Sequence, residues 1–144
     1  MRQPLLWVMI GVALGASGFA LAQRATAKDP DNGTKVRVLL GQVLKEKLDG
    51  KEATVTVQEV TLAPKATTPP HHHPGSVVAY VLEGELESQI GDEKLKVHKK
   101  GDVFYEPAGA MHAVARNPSQ TAPLRFLAVI LSPKDAKELL IPEK

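Results

Sequence analysis

The sequence predicts an all-β fold, a small antiparallel barrel or sandwich of short strands. Three observations predict it. Short apolar stretches recur with turn residues between them; the clearest of them alternates with period two; and Gly and Pro, 11 of each in 144 residues, supply the turns. No strand–helix alternation and no internal repeat is visible, and the length suits one folded domain.

Residues 1–22 read as a signal peptide. Arg2 gives a positive start, Leu5 to Ala20 is uncharged and mostly apolar, and Ala20-Leu21-Ala22 supplies the small residues of a cleavage site. Cleavage after Ala22 predicts a periplasmic or secreted protein with no membrane attachment. The minor alternative is an uncleaved N-terminal membrane anchor, since the run is about long enough to cross a bilayer. Residues 23–35 are polar, include Asp29-Pro30-Asp31-Asn32-Gly33, and read as a flexible linker. The folded domain is expected over 36–144.

The first strand is expected from Val36 to Val43, with Leu44-Lys45-Glu46-Lys47-Leu48 open to a helical continuation. Asp49-Gly50 turns the chain. From Ala53 to Leu62, Val55, Val57 and Glu59 share one face, and Thr54, Thr56, Gln58 and Val60 the other. Pro64, Pro69 and Pro70 interrupt. Val77 to Leu82 is apolar on both faces and is expected to be buried on both. Glu85 to Ile90 and a return strand through Leu95 and Val97 flank the hairpin signal Gly91-Asp92. Short strands follow at Val103–Tyr105 and His112–Ala115, then a long one at Leu124–Leu131. Lys134 to Leu140 is open to one or two final helical turns.

Charge and composition exclude several functions. The net charge is only +2, and the short run Lys94, Lys96, Lys99, Lys100 reads as a solvated strand and turn, so nucleic acid is not an expected partner. The absence of cysteine excludes disulfides, thiolate nucleophiles and sulfur-ligated metals. Any transition metal must be held by imidazole, carboxylate or carbonyl oxygen.

Five histidines occur: His71, His72, His73, His98 and His112. On an extended chain His71 and His73 project together and His72 points away. Two such imidazoles can chelate one ion, and His112, just after a Pro–Gly turn, is the candidate third ligand. Imidazole suits Zn, Cu, Fe and Ni.

Pro70-His71-His72-His73-Pro74-Gly75, followed by Tyr80-Val81-Leu82-Glu83-Gly84-Glu85, resembles the first motif of the cupin superfamily. Gly101-Asp102-Val103-Phe104-Tyr105-Glu106-Pro107-Ala108-Gly109 with His112 resembles the second. The resemblance implies a double-stranded β-helix, an antiparallel β-barrel or jelly roll. It also implies a metal in the barrel mouth held by two His and a Glu of the first motif and one His of the second.

The chain departs from that pattern at the carboxylate. The position four residues after His73 and seven before Gly84 is Val77. The expected metal ligands therefore reduce to His71, His73 and His112. Glu85, Glu106 and His72 are possible substitutes, none of them adopted; period-two counting turns His72 outward. Three neutral imidazoles would leave the whole +2 charge on a divalent ion (Zn, Cu, Mn, Ni or Fe), favouring anionic ligands and an acidified water. That set resembles some thiol-oxidising cupin dioxygenases.

The expected function is an exported metal-binding cupin, a metal-dependent oxidoreductase or dioxygenase acting on a small molecule. The alternative is a non-catalytic periplasmic cupin that binds a small ligand or metal. Val77, Ala79 and Val81 are expected on the inner face, and Met111 at the rim. Tyr80 and Tyr105 are open to wall or general-acid roles. Asn117 falls one position late for the second motif, which a bulge could absorb. The apolar outer face of Val78, Tyr80 and Leu82 needs a cover, from the N-terminal strand or a second subunit, and a homodimer is expected.

Overall fold

The computed structural model describes residues 32–143. The expected signal peptide and most of the linker lie outside the described residues. Ten strands follow in order: β1 (Thr34–Leu48), β2 (Lys51–Leu62), β3 (His71–His72), β4 (Ser76–Glu83), β5 (Glu85–Ile90), β6 (Lys96–Lys99), β7 (Val103–Glu106), β8 (His112–Arg116), β9 (Leu124–Pro133) and β10 (Ile141–Pro142). All pairings between them are antiparallel. One sheet has the order β1-β2-β9-β4-β7 and the other β10-β3-β8-β5-β6. This is the all-β jelly roll expected from the sequence.

The core between the sheets is built from the inward phase of each strand. Leu62, Ala79, Val81, Leu86 and Leu124 are fully buried together with Val60, Phe104 and Ala115. Removing each larger aliphatic side chain from water contributes about 1.5–3 kcal/mol. A second cluster, Val77, Ala128 and Ile130, is capped by Leu139 from the segment after β9.

Three expectations are corrected. First, β1 runs unbroken to Leu48 and does not become helix. Asp49 and Gly50 both adopt positive φ, 48° and 74°, the conformation of a two-residue hairpin turn, so Leu48 pairs with Lys51 and the ladder extends to the turn. Cross-strand pairing outweighs the weak helical preference of Leu-Lys-Glu-Lys-Leu.

Second, Lys134–Leu140 forms no helix; among the described residues none occurs. Leu139 is held on the core, and β10 is drawn back to pair with β3, Ile141 opposite His72 and Pro142 opposite His71.

Third, β4 is buried on one face only. Val77, Ala79 and Val81 point inward, whereas Val78 and Tyr80 are exposed. The N-terminal strand does not cover them, because β1 adds to the other side of the sheet, beyond β2 and β9.

Gly75 has a steric duty. A Cβ there would lie 1.7 Å from the carbonyl oxygen of Leu131, because β9 crosses directly against the His-Pro-Gly turn. Gly84 has φ 82°, and a Cβ would meet the Pro123 carbonyl at 3.0 Å. Both glycines lie in the first motif, where the chain passes from the histidines into β4 and from β4 into β5. Replacing Gly75 with Ala forces the backbones apart, with an expected loss of about 3 kcal/mol or more. Urea unfolding of Gly75→Ala checks this; a midpoint equal to that of the parent would refute the close approach.

A candidate metal centre

His71 and His73 project inward from β3 and the residue after it, while His72 turns to the surface and pairs with Glu143 at 2.8 Å. His112 opens β8 and is the direct cross-strand partner of His71. The ring centroids of His73 and His112 lie 5.0 and 5.1 Å from that of His71. The three predicted histidines are thus brought together inside the barrel, and His71 and His112 are each only 4% exposed.

A bulge orients His112. Its strand pairs with β5 through Gln89–Val114 and then Ile90–His112, so Ala113 is an extra residue. The extra residue reverses the side-chain phase, and His112 and Ala115 are both buried although three positions apart.

One residue of the cluster, Glu106, was named from the sequence only as a possible substitute and not adopted. Glu106, the last residue of β7, is 4% exposed, and its backbone partner across the ladder is Val77. Directly paired residues present their side chains on the same face with Cβ atoms about 5 Å apart. A carboxylate thus stands on the neighbouring strand directly opposite the Val77 position. His71, His73 and Glu106 each bring a donor atom within 4.8 Å of the others. Glu106 Oε2 stands 3.6 Å from His73 Nε2 and 3.0 Å from His112 Nδ1, which ties His112 to the same set. The signal was present in Val103-Phe104-Tyr105-Glu106, where Phe104 and Glu106 share the inward phase, but the register against Val77 could not be counted from the sequence.

The hydrogen-bond partners settle which atoms are free. His71 Nδ1 donates to the Pro69 carbonyl at 2.8 Å, and His73 Nδ1 donates to the Leu139 carbonyl. A carbonyl only accepts, so Nδ1 is protonated in both rings, and in the neutral form of each ring Nε2 carries the bare lone pair. His112 Nε2 lies 2.8 Å from Ser88 Oγ, leaving Nδ1 toward Glu106. Glu106 Oε2 is buried without a hydrogen bond, since the close His112 nitrogen is out of line. Buried acceptors converging without a donor are costly unless a cation completes them. Imidazoles steered by carbonyls are the arrangement that metal ligands use. The residues present therefore fit a metal ion.

Electrostatics agree. Burial pushes the His71 imidazole down to about 4, with the neighbouring His112 and His73 adding to the effect. At Glu106 burial works to raise the carboxyl, but the contact with His112 and the electrostatic effect of the surrounding imidazoles outweigh it and hold it below its ordinary value. A neutral His71 and an ionised Glu106 are the ligand forms.

Other expectations resolve around this centre. Val77, Ala79 and Val81 share the inner face as expected. Tyr80 and Tyr105 point outward, Tyr105 pairing with Ser76 at 2.9 Å, so neither is a wall or acid of this site. Met111 does not line the cavity above the histidines. Asn117 is a buried clamp: its amide donates to the carbonyls of Leu62, Ala63 and Ala122. His98 stacks on Phe104 at 4.4 Å, outside the cluster.

A two-sheet β-roll carrying imidazoles and a carboxylate in its lumen defines a small β-barrel with a candidate metal centre. Residues 58–130, half of the chain, match the cupin domain model, and the chain belongs to that family. The chain is 37% identical over 78 residues to germin-like protein subfamily 2 member 2 of Arabidopsis thaliana, a match covering 50% of this chain and 36% of that protein. The chain thus spans about a third of the length of that relative. Among solved structures, oxalate decarboxylase from Bacillus subtilis superposes with a TM-score of 0.61 at 20% identity, over 86% of this chain and 31% of that one. The polyketide cyclase RemF from Streptomyces resistomycificus gives 0.59 at 21% identity, over 85% and 81%. Likeness at this identity establishes the fold.

The metal-free protein should be acid-sensitive. Unfolded His71 takes a proton near 6.5 and the folded one only near about 4, so the unfolded state gains protons first as pH falls. Stability present above 6.5 should decline through that window by up to about 3 kcal/mol. Glu106, held below its ordinary value, adds loss in the same direction at lower pH. Thermal melts of chelator-treated protein between pH 7 and 4 check this; a flat melting temperature would contradict it.

Proposed function

We propose that the protein is an exported, metal-dependent cupin that binds a divalent transition metal and acts as an oxidoreductase on a small molecule. The observation that carries the reading is the buried Glu106 Oε2, without an aligned hydrogen bond, among three steered imidazoles. His71, His73 and His112 would hold the ion, as the motif spacing suggests, with Glu106 in place of the absent first-motif carboxylate. Zn, Cu, Mn, Ni and Fe all suit such a mixed set. Glu106 lowers the net charge of a loaded site from the +2 of three neutral imidazoles to +1, which weakens the expected preference for anions.

The ion would supply Lewis-acid or redox chemistry on its open side. The chain's own groups hold and orient. The Pro69 and Leu139 carbonyls fix the His71 and His73 rings, and Ser88 fixes His112. Val77, Ala128 and Ile130, capped by Leu139, keep water from one flank. Export is supported by the three-part composition of residues 1–22. The alternative, a non-catalytic binding cupin, is favoured by one observation: both tyrosines, the candidate proton donors, face away from the site.

Untagged protein recovered from its native compartment should begin at Gln23 and carry about one equivalent of metal per chain. His112→Ala and Glu106→Gln should each lower metal affinity by about tenfold or more, and Ser88→Ala by about tenfold. Elemental analysis, intact mass and competition with a chelator read this. Metal-dependent oxygen uptake that His112→Ala abolishes supports the oxidoreductase. Stoichiometric metal without turnover supports the binding cupin, and absence of both overturns the metal reading.

A homodimer is proposed from the outer face of the five-stranded sheet. Leu40, Val57, Val129, Val78 and Tyr105 are successive cross-strand partners, an apolar row crossing all five strands. Tyr105 at its end is 56% exposed. A continuous apolar row of this kind marks an interaction surface. Sedimentation at micromolar concentration should give a dimer, and Tyr105→Lys should shift it toward monomer by about tenfold in dissociation constant. A monomeric parent protein would refute it.

A further inference from the structure

The cavity above the cluster has a chemistry that selects its ligand. Its volume is about 400 Å³, against about 150 Å³ for an apolar cavity that admits benzene, so one ring with substituents fits. Its apolar lining is one continuous sheet face, with Val36, Val60 and Phe126 as successive cross-strand partners and Ala128 and Ile130 beside them on β9, together with Leu139. No Lys or Arg is among the described residues that line it. Apart from the histidine–Glu106 cluster, the one ionisable lining group is Glu138, another acid.

A second unpartnered polar atom lies in the same wall. Thr34 Oγ1 is buried without a hydrogen bond, on a residue only 5% exposed, and Thr34 lines the cavity. A hydroxyl in that state lacks a partner that a ligand can provide, and it can donate or accept.

We propose that the site takes a monoanionic, ring-sized molecule. An oxygen donor such as a carboxylate would face the metal cluster, the apolar body would fill the wall, and an uncharged hydroxyl or carbonyl would pair with Thr34. The assignment rests on the metal reading given above. A ligand with a second negative charge is selected against. Once the ion's charge is reduced by Glu106 and by the first carboxylate, a second carboxylate meets apolar wall and Glu138 with no cation. Gln58, a lining residue, marks where one could be introduced.

The test uses the whole chain loaded with cobalt(II), whose visible spectrum reports both metal and ligand, and four probes with the same head group. Benzoate should bind roughly thirtyfold more tightly than acetate, from burial of its ring. 4-Hydroxybenzoate should gain about fivefold over benzoate, and Thr34→Val should remove that gain while leaving benzoate unchanged. Terephthalate should bind about tenfold more weakly than benzoate, and Gln58→Arg should restore it. A normal cobalt spectrum with acetate equal to benzoate, or terephthalate as tight as benzoate, overturns the selectivity and leaves the metal reading standing. A hydroxyl gain that survives Thr34→Val overturns the role of Thr34. A chain that gives no stoichiometric cobalt spectrum overturns the metal reading, and the ligand assignment falls with it.

Discussion

Glu106 sits where an ionised carboxylate is most expensive, inside a barrel and walled by aliphatic side chains. What makes that burial tolerable is the ring of imidazoles around it. They hold the carboxyl below its ordinary value while the same burial keeps His71 neutral. The two effects oppose each other in a metal-free protein, since neutral imidazoles stabilise a carboxylate less than charged ones. A cation resolves the opposition by accepting lone pairs from both. The remaining features of the fold can be followed outward from that requirement.

The cluster is held from three directions. Pro69 precedes the histidine strand and accepts from His71; Ser88 on β5 reaches His112; and Leu139, far along the chain, accepts from His73. The Leu139 segment is itself tied down on both sides. β10 pairs with β3, and the Glu143 amide donates to the Pro70 carbonyl at 2.9 Å. One stretch of chain therefore does three jobs: it caps the Val77–Ala128–Ile130 cluster, orients the His73 imidazole and lines the cavity. Coupling of this kind makes the histidine cluster and the C-terminal segment stabilise each other, because loosening either frees the His73 ring.

The strands and the two-histidine face were legible because they depend on local pattern. Alternation places His71 and His73 inward, and a turn before His112 delivers a third ring. The features that escaped depend on register and on distant backbone. Glu106 is assigned only once Val77 is known to lie opposite it, and strand pairing is a tertiary fact. The Ala113 bulge breaks the period on which counting relies. Leu44–Leu48 and Lys134–Leu140 carry helix-tolerant residues whose fate is decided by a hairpin turn in one case and by docking of Leu139 in the other. The outer positions of β4, Val78, Tyr80 and Leu82, are as apolar as the inward Val77, Ala79 and Val81, so composition does not distinguish surface from core there.

An acid at Glu106, with Val77 opposite it, has a mechanical consequence beyond its chemistry. An acid at Val77 would sit mid-sheet on β4, between β7 and β9. Glu106 instead ends an edge strand and leads directly into Pro107 and the turn at Gly109, whose amide donates to the His73 carbonyl at 2.9 Å. The same turn delivers His112. The acid, the second-motif histidine and the backbone of a first-motif histidine are thereby linked within a few residues of chain. A ligand that draws on Glu106 acts on the junction between the two motifs, and strain at that junction is felt by His73 and His112 together. Strand pairing joins the two motifs as well, β3 with β8 and β4 with β7, so the backbone itself holds the geometry of the candidate site.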